Sequence, residues 1–465
     1  MDPEARRKIM GGAQLRRLRT TLGLSQSAMA AELGISASYL NLVERNQRPV
    51  TAQLLIRLAE TYEIDARDFS GAEDTRLAAE LEEVLSDPLL APLAVPKGEI
   101  RAALEQAPTL VAALRRLHAA WADAPPPADG AEEPDRGGPA PADAVERVRD
   151  ALQAAQNHFP MLEAAAEAIA GGEPMGWDAA VARLSDRHGT RVAVLPSREM
   201  GVTLRHYDRH RRRLMLSELM PPESRRFQAL VQLAAFEAGA AVDGSLAAAG
   251  LADGPARRLG RVALLNYAAA ALAMPYVPFL ALAQEGGCDV DLLAGRFGAG
   301  WEQAAHRLTT LARPGARGIP FFMVRVDLAG NVSKRFSSGA FPFARAGGTC
   351  PRWALHEAFR HPGRVLAQLV ETPDGKRWFT FARTVRRVMV PFGEPEAEFA
   401  VALGCEERFA GALVYARGLP GARPTAIGPA CRLCPRPSCP NRSAPSRLAP
   451  LEVSEVTRGL SPFGD

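Results

Sequence analysis

The chain has 465 residues, which is too long for one domain, and 47% of them are hydrophobic, an ordinary value for a globular protein. Because 56 lysines and arginines nearly balance 52 aspartates and glutamates, the formal charge of +4 gives no reason to predict nucleic-acid binding from the whole chain. The sequence has no apolar run of about 18 residues and no apolar signal core near its start, so we expect a cytoplasmic protein that does not contact membranes. In that compartment its six cysteines should be free, metal-bound or redox-active rather than paired as disulfides.

Residues 15–64 have the pattern of a helix-turn-helix DNA-binding module. Leucines repeat at helical spacing, Ser25 and Ser36 can cap the second and third helices, and Gly34 permits a sharp turn between them. An ordinary helical bundle without a role in DNA binding is the alternative, but the first helix is unusually basic for one. The sequence therefore predicts an all-α DNA-binding domain over residues 1–70.

Side chains that could contact DNA lie at the start of the third helix and just beyond it. If Leu40 and Val43 are buried, the free face of this helix carries small and polar side chains that suit base edges in a major groove, and the following loop can meet phosphates. The candidate DNA-contacting residues are Ser36, Ala37, Ser38, Tyr39, Asn41, Arg45, Asn46 and Arg48. The segment resembles the XRE and phage-repressor family, which implies that Gln26 binds a phosphate and that the protein binds double-stranded DNA as a homodimer or a higher homo-oligomer.

Two segments of different composition separate this domain from the rest of the chain. Residues 71–121 carry apolar side chains at helical intervals and are predicted to form a helical connector, which either pairs two chains or serves as a simple helical layer. Residues 122–144 are rich in Pro, Gly and Asp and lack large apolar side chains, so they are predicted to be a flexible tether. The sequence thus predicts a DNA-binding part and a separate sensing or catalytic part.

Mixed helix and strand patterns then predict two α+β domains, residues 145–312 and 313–465. Helices are expected over residues 148–170, 224–240, 255–273 and 301–311, and strands over residues 192–195, 201–204, 213–216, 320–327, 365–371, 377–382 and 384–390. Pro373, Asp374 and Gly375 form a predicted hairpin turn.

The first of these domains resembles the metallopeptidase-like domains that are fused to XRE repressors. The resemblance rests on Arg225–Gly239 and Leu265–Pro275, and an active member would carry an HExxH zinc motif in the first segment and an acidic ligand in the second. The corresponding positions are occupied by Val231, Gln232, Ala235 and Ala271. None of these side chains binds zinc or activates water, so we expect no enzyme activity and set aside the alternative of a peptidase that cleaves a repressor.

A peptidase pocket without catalytic groups suits an apolar ligand, and nearby arginines could hold phosphates. An acyl-CoA fits both properties, with the thioester tail inside and the nucleotide outside. The alternative is a solvated basic turn beside an ordinary core. The candidate ligand-binding residues are Arg205, Arg209, Arg213, Arg226, Tyr267 and Tyr276.

The last third of the chain has three closely spaced cysteines, Cys431, Cys434 and Cys439. This spacing favours a metal centre over free or redox-switching thiols, and one centre needs a fourth ligand. Cys405 is the first choice for that ligand and Cys350 is the second. The spacing alone leaves both zinc and an iron–sulfur cluster open.

Long segments resemble the short-chain fatty acyl-CoA regulator family. They are residues 157–160, 266–280, 305–337, 341–364 and 427–442. The resemblance implies a bacterial transcription factor that senses a short-chain acyl-CoA, such as propionyl-CoA, and controls genes of propionate, acetate or related acyl-CoA metabolism. It also implies a 4Fe–4S cluster on the C-terminal cysteines. A redox- or iron-responsive transcription factor, whose signal is the cluster itself, is the alternative function.

Overall fold

The computed structural model describes residues 11–45, 47–62, 72–87, 90, 93–122, 141–338, 341–343, 348–386, 388–390, 392–394, 396–419, 421–446, 448, 456 and 459–461. The chain divides into two compact units, Met1–His118 and Ala119–Asp465. Most of the predicted tether, residues 123–140, lies outside the described residues.

The described part of the first unit is helical. Its helices are α1 (Gly12–Thr21), α2 (Gln26–Glu32), α3 (Ala37–Glu44), α4 (Ala52–Tyr62), α5 (Ala72–Leu85), α6 (Lys97–Gln106) and α7 (Pro108–Ala122). Leu15, Met29 and Leu58 belong to a core that joins α1 to α4, whereas Leu81 and Ile100 belong to a separate small core between α5, α6 and α7. The predicted connector therefore packs as a helical layer of its own.

The helices of the second unit surround and cover two sheets. They are α8 (Pro141–Ala154), α9 (Pro160–Ala170), α10 (Trp177–His188), α11 (Ser197–Met200), α12 (Pro222–Glu237), α13 (Gly239–Ala248), α14 (Gly254–Ala273), α15 (Tyr276–Glu285), α16 (Val290–Phe297), α17 (Trp301–Leu308) and α18 (Ala354–Glu357). The longest of them, α14, packs against α8, α9 and α12. No single described helix has the length and apolar character of a membrane span; only the bent pair α14 and α15 has the required length and composition together.

The strands form a three-stranded and a six-stranded sheet. They are β1 (Arg191–Leu195), β2 (Arg205–Asp208), β3 (Arg213–Ser217), β4 (Phe322–Asp327), β5 (Val332–Ser337), β6 (Leu366–Glu371), β7 (Arg377–Arg386), β8 (Glu398–Glu406) and β9 (Thr425–Ala426). The small sheet has the order β1-β3-β2, with β1 parallel to β3, and the large sheet has the order β5-β4-β8-β7-β6-β9. The large sheet is antiparallel apart from the β6–β9 pair.

Most strand predictions are confirmed, and two are wrong. Residues 201–204 are not a strand, because the chain leaves α11 through Gly201, whose φ is +55°, and reaches extended pairing only at Arg205. The predicted break at residue 383 is absent, because no turn residue interrupts β7 before Arg386. The turn at Pro373–Gly375 is confirmed, with Gly375 at a φ of +77°.

One hydrophobic core joins the two regions that the sequence predicts as separate α+β domains. Tyr267 and Phe279 from the helices and Met323, Phe381 and Leu403 from the large sheet belong to the same buried cluster. The helices of residues 145–312 and the sheet of residues 313–465 thus form one packed body, since burying a shared apolar surface stabilises both parts.

Candidate functional site

The helix-turn-helix geometry is built by two serine caps and one glycine turn. Ser25 Oγ accepts the N–H of Ala28 at 3.1 Å, and Ser36 Oγ accepts the N–H of Tyr39 at 3.1 Å. Gly34 has a φ of +61°, which favours glycine over residues with a side chain. The predicted caps and turn are confirmed, and each cap contributes about 1 kcal/mol.

A buried carboxylate, Glu44, fixes the third helix relative to the first two. Arg19 donates from Nε to Glu44 Oε1 at 2.6 Å and from Nη2 to Oε2 at 3.1 Å. Gln26 donates from Nε2 to Glu44 Oε2 at 2.6 Å and accepts at Oε1 from Asn41 Nδ2 at 3.1 Å. The hydrogen bond that Arg19 donates to Glu44 raises the pKa of Arg19, and its guanidinium is thus occupied within the unit.

The predicted DNA-contacting residues divide into exposed and internally held groups. The exposed ones are Ser36, Ala37, Ser38, Arg45 and Arg48. The Ser36 hydroxyl is used as a cap, Tyr39 packs partly against the core, and the amides of Gln26 and Asn41 bond each other. Asn46 lies outside the described residues. The surface available to a base edge is thus the small side chains of Ala37 and Ser38, and the exposed Arg45 and Arg48 follow the C-terminal end of the same helix.

Glu44 and Arg57 hold this surface in place, and the sequence reasoning missed both. Arg57 Nη1 donates to the carbonyls of Leu33 and Gly34 at 3.0 and 3.1 Å, which satisfies the end of α2. A signal for Glu44 was present, because a charged residue four positions after the buried Leu40 lies on the core face of the helix.

The positions of the missing peptidase motif lie in the core of the second unit. Val231 and Gln232 on α12 and Ala271 on α14 are buried, and none offers an imidazole or a carboxylate. Arg205 on β2 donates from Nη2 to Gln232 Oε1, and burial lowers the pKa of this arginine. A guanidinium therefore lies beside the residue that stands in place of the catalytic glutamate.

The two tyrosines predicted to bind ligand have hydrogen-bonding roles within the fold. Tyr267 is fully buried, and its hydroxyl donates to Glu163 Oε1 at 2.6 Å. The Tyr276 hydroxyl donates to the carbonyl of Ala316 at 2.9 Å and accepts the N–H of Arg313 at 2.9 Å. Both hydroxyls therefore already have hydrogen-bond partners within the protein.

A buried ion pair explains why Tyr267 is held there. Arg307 donates to Glu163 Oε1 at 2.6 Å and to Oε2 at 2.9 Å, and their side chains are 0% and 3% exposed. Burial opposes ionisation of Glu163, but Arg307 and the Tyr267 hydroxyl outweigh it and hold the carboxyl pKa below its usual value. The pair joins α9 to α17.

The four arginines predicted to bind ligand have different surroundings. Arg205 and Arg226 are half-buried, and burial lowers the pKa of both. Their Nε groups are buried without a hydrogen-bond partner among the described residues. Arg209 is exposed in the β2–β3 turn, and Arg213 is half-buried at the start of β3. Of these four arginines, only Arg205 and Arg226 thus combine burial with an Nε group that lacks a hydrogen-bond partner among the described residues.

Four cysteines line one pocket, and the fourth member is not the predicted one. Cys350, Cys431, Cys434 and Cys439 surround it. Cys405 lies in β8 opposite Phe379, in the main core, where burial raises its pKa far above the usual value. The first choice for the fourth ligand is therefore corrected to the second, Cys350, because β8 carries Cys405 into the core of the sheet.

The loops around this pocket are tightly fitted. A Cβ atom at Gly428 would lie 2.6 Å from the Sγ of Cys434, so glycine is required there. Burial raises the pKa of the Cys350 thiol, although the backbone N–H groups of Gly428 and Arg352 partly oppose the shift. Arg436 donates to the carbonyls of Ile427 and Glu371 at 3.1 and 2.8 Å, which ties the cysteine loop to β6. Within the described ranges, no three His, Cys, Asp or Glu side chains are gathered closely enough to hold a metal ion.

Comparisons with known families divide the chain into three matches. Residues 15–69 match a helix-turn-helix family, and residues 185–309 match the IrrE N-terminal-like domain of a peptidase family. Residues 310–463 match the C-terminal region of the short-chain fatty acyl coenzyme A regulators.

Curated relatives match nearly the whole chain. A propionyl-CoA carboxylase regulator of Cereibacter sphaeroides is 38% identical, over 98% of this chain and 98% of its own. The HTH-type transcriptional regulators RamB and PrpR of Mycobacterium tuberculosis are 36% and 37% identical, over 98% and 93% of this chain and 98% and 90% of their own. A solved structure of a Mycobacterium tuberculosis transcriptional regulator is 35% identical with a TM-score of 0.65, and the match covers 70% of this chain and 100% of that one.

Proposed function

The chain belongs to the short-chain fatty acyl-coenzyme A regulator family and is a transcriptional regulator, and we propose that it senses a short-chain acyl-CoA and controls genes of propionate or related acyl-CoA metabolism. The observation that supports DNA reading is the exposed start of α3, where Ala37 and Ser38 are free and the Glu44 network holds the helix. A reading helix needs such an edge, because small side chains allow the backbone to approach bases closely.

The acyl-CoA proposal is supported by the family match and by the name of the relative that regulates propionyl-CoA carboxylase. In the second unit, Arg205 and Arg226 are half-buried cations with an unmet donor, which suits the phosphates of a nucleotide. Val231 and Ala271 supply apolar surface where a peptidase would have polar groups. We place the phosphate contacts on Arg205 and Arg226 in preference to Arg209, which is exposed, and to Arg213, which is half-buried at the start of β3.

Propionyl-CoA is the probe for this proposal. Mobility shifts of the operator, recovered by selection from random duplexes, should change when propionyl-CoA is added, and the change should weaken in Arg226→Ala. Arg258→Ala, at an exposed arginine elsewhere in the unit, is the control. If propionyl-CoA, acetyl-CoA and free CoA all leave DNA binding unchanged, the ligand part of the proposal is wrong.

We also propose that the second unit is not a peptidase, because Val231, Gln232 and Ala271 cannot bind zinc or activate water. Metal-dependent cleavage of a protein substrate by the purified chain, surviving substitution of the cysteines, would contradict this.

We propose a 4Fe–4S cluster at the cysteine pocket, held by Cys350, Cys431, Cys434 and Cys439. A tetrahedral zinc ion with Zn–S distances of about 2.3 Å needs sulfurs about 3.8 Å apart, whereas a cubane binds each thiolate through a different iron and needs a wider ring. Four thiols around one pocket, together with the match to the short-chain fatty acyl coenzyme A regulators, support this proposal. When bound, such a cluster exchanges an electron, which supports the second candidate function of a redox- or iron-responsive regulator.

The pocket also supplies charge that a cluster would need. Arg436 and Arg442 line it, and their positive charge offsets that of four thiolates. Visible absorbance and iron content of anaerobically purified protein should be lost in Cys434→Ser and in Cys350→Ser. Cys405→Ser and Cys288→Ser, which change buried cysteines outside the pocket, should keep both signals. Zinc without iron in the wild-type protein would favour the zinc alternative.

We propose that the active form is a homodimer joined through α7. Leu110, Leu117 and Trp121 lie at helical spacing along one face of α7 and are 71%, 70% and 60% exposed. Two copies of one reading helix fit the two halves of an inverted site, so a second copy of this chain is the expected partner for the face. Light scattering should show a dimer that Leu117→Glu converts to a monomer, while Leu93→Glu, an exposed leucine outside α7, should remain dimeric.

A further inference from the structure

The turn between β2 and β3 is a concentrated, solvent-exposed group of cations. Its four residues are Arg209, His210, Arg211 and Arg212, and all four are exposed. Arg213 follows directly as the first residue of β3. Among the described residues no carboxylate pairs with Arg209 or Arg212, and the nearest acid to Arg211, Asp208, lies 4.0 Å away.

The backbone of this turn is organised so that its one acid is occupied internally. Asp208 Oδ1 accepts the N–H groups of His210 and Arg211, both at 2.9 Å, and these bonds lower the pKa of the carboxyl. Arg212 has a φ of +47°, in the left-handed region that side-chain-bearing residues rarely occupy, and its carbonyl accepts the N–H of Arg191 at 2.9 Å. A strained arginine thus occupies a position where glycine would fit with less strain, and its carbonyl bonds the turn to β1.

We propose that the β2–β3 hairpin is a second DNA contact, which binds backbone phosphates beside the site that α3 reads. This inference rests on the DNA-binding function. Three exposed arginines in one turn, of which Arg211 alone has a carboxylate within 4.0 Å among the described residues, suit a polyanion, since duplex DNA carries one negative charge per about 1.7 Å of its axis. The reading helix of the same chain would bring flanking duplex to a high effective concentration, so weak contacts at the hairpin would be occupied.

A small nucleotide ligand fits this surface less well than DNA does. Ligand pockets are concave and enclose most of their ligand, whereas Arg209, Arg211 and Arg212 lie in an exposed turn. Arg205, at the other end of β2, bonds Gln232 on α12 and belongs to different surroundings. The two ends of the hairpin can therefore serve different anions.

Two duplexes and two matched variants of the full-length protein test the proposal. One duplex holds the selected operator alone, and the other adds about 20 base pairs on each side, enough for about two helical turns. The test variant is Arg209→Ala/Arg211→Ala/Arg212→Ala. The control is Arg258→Ala/Arg296→Ala/Arg364→Ala, which removes the same charge from three exposed arginines elsewhere in the unit. The double variant Arg209→Ala/Arg211→Ala, which leaves the strained Arg212 in place, guards against loss of folding.

On the long duplex the wild-type protein should depend on salt more steeply than the test variant. Each phosphate contact contributes about 0.9 to the slope of log affinity against log salt, so three contacts predict that wild type loses about 40-fold more affinity between about 50 and about 200 mM salt. The control should match wild type, and all variants should match on the short duplex.

Equal salt slopes for wild type and both hairpin variants on the long duplex would overturn the proposal while leaving operator reading intact. Failure of wild type to select any sequence would instead refute the DNA-binding function and the hairpin contact with it. A third outcome is loss of propionyl-CoA binding in the test variant together with a wild-type salt slope on the long duplex. It would show that the hairpin binds the nucleotide of the ligand, and it would also overturn the proposal.

Discussion

Replacing Glu44 with alanine should loosen the whole DNA-binding unit. The change removes the acceptor for two hydrogen bonds from Arg19 and one from Gln26, in a place where the Glu44 side chain is 3% and the Arg19 side chain 16% exposed. Breaking a buried ion pair costs about 3–5 kcal/mol, and the partial exposure of Arg19 places the expected loss at about 3 kcal/mol. In Glu44→Gln the amide that replaces the carboxylate keeps one acceptor oxygen, so that variant should lose about half as much.

Hydrogen–deuterium exchange of the full-length protein measures this loss locally. Backbone amides of α1 to α4 should exchange about 100-fold faster in Glu44→Ala, since about 1.4 kcal/mol corresponds to a factor of ten. Peptides of the second unit should be unchanged. Glu60→Ala, an exposed acid on α4, is the control and should exchange as wild type. If the backbone amides of α1 and α3 exchange as slowly in Glu44→Ala as in the control, the network does not hold the reading helix in place.

Three further predictions concern the second unit. Arg307→Leu should lower the unfolding free energy of this unit by about 3–5 kcal/mol, because it leaves Glu163 buried and unpaired. Arg313→Ala, which breaks the half-exposed ion pair with Glu167, should lower it by less than about 1 kcal/mol. Thermal unfolding measures both losses, and equal losses would contradict the account. Gly428→Ala should reduce iron content and visible absorbance, because the added methyl group would clash with the Cys434 side chain. Gly411→Ala, where there is open space for a methyl group, should leave both signals unchanged. Unchanged iron content in Gly428→Ala would show that the loop rearranges to accept the methyl group. Burial lowers the pKa of His306 to about 3, so the folded protein favours the neutral ring. The stability that this contributes is complete above the pKa of the unfolded histidine, near 6.5, and is lost as the pH falls below it. Between about pH 7.5 and 5 the unfolding free energy of the wild type should therefore fall by about 2 kcal/mol more than that of His306→Gln, and parallel pH profiles would refute this.

The local features of the DNA-binding unit could be predicted because they depend on neighbours in sequence. Ser25, Ser36 and Gly34 act within one helical turn of their own position, so pattern and propensity suffice. The Glu44 network was not predicted, because it joins residues 25 and 18 positions apart and depends on how three helices cross.

The ligand residues and the fourth cysteine illustrate the opposite case. Tyr267 bonds Glu163 across 104 positions, and no spacing in the sequence indicates that its hydroxyl is already used. Cys405 was the first choice for the fourth ligand and Cys350 the second, but β8 carries Cys405 into the core, whereas Cys350 lines the pocket with the distant loop. A short distance in sequence is a poor guide once a strand separates two thiols.

Sequencing of genomic fragments captured by the purified protein tests the central claim, that the exposed edge of α3 reads DNA, most directly. The wild-type protein should enrich a small set of sites with a shared motif, and Ser38→Asp, which places a carboxylate on that edge, should lose the enrichment while keeping its fold. Captured fragments without a shared motif, or the same motif from Ser38→Asp, would contradict the account.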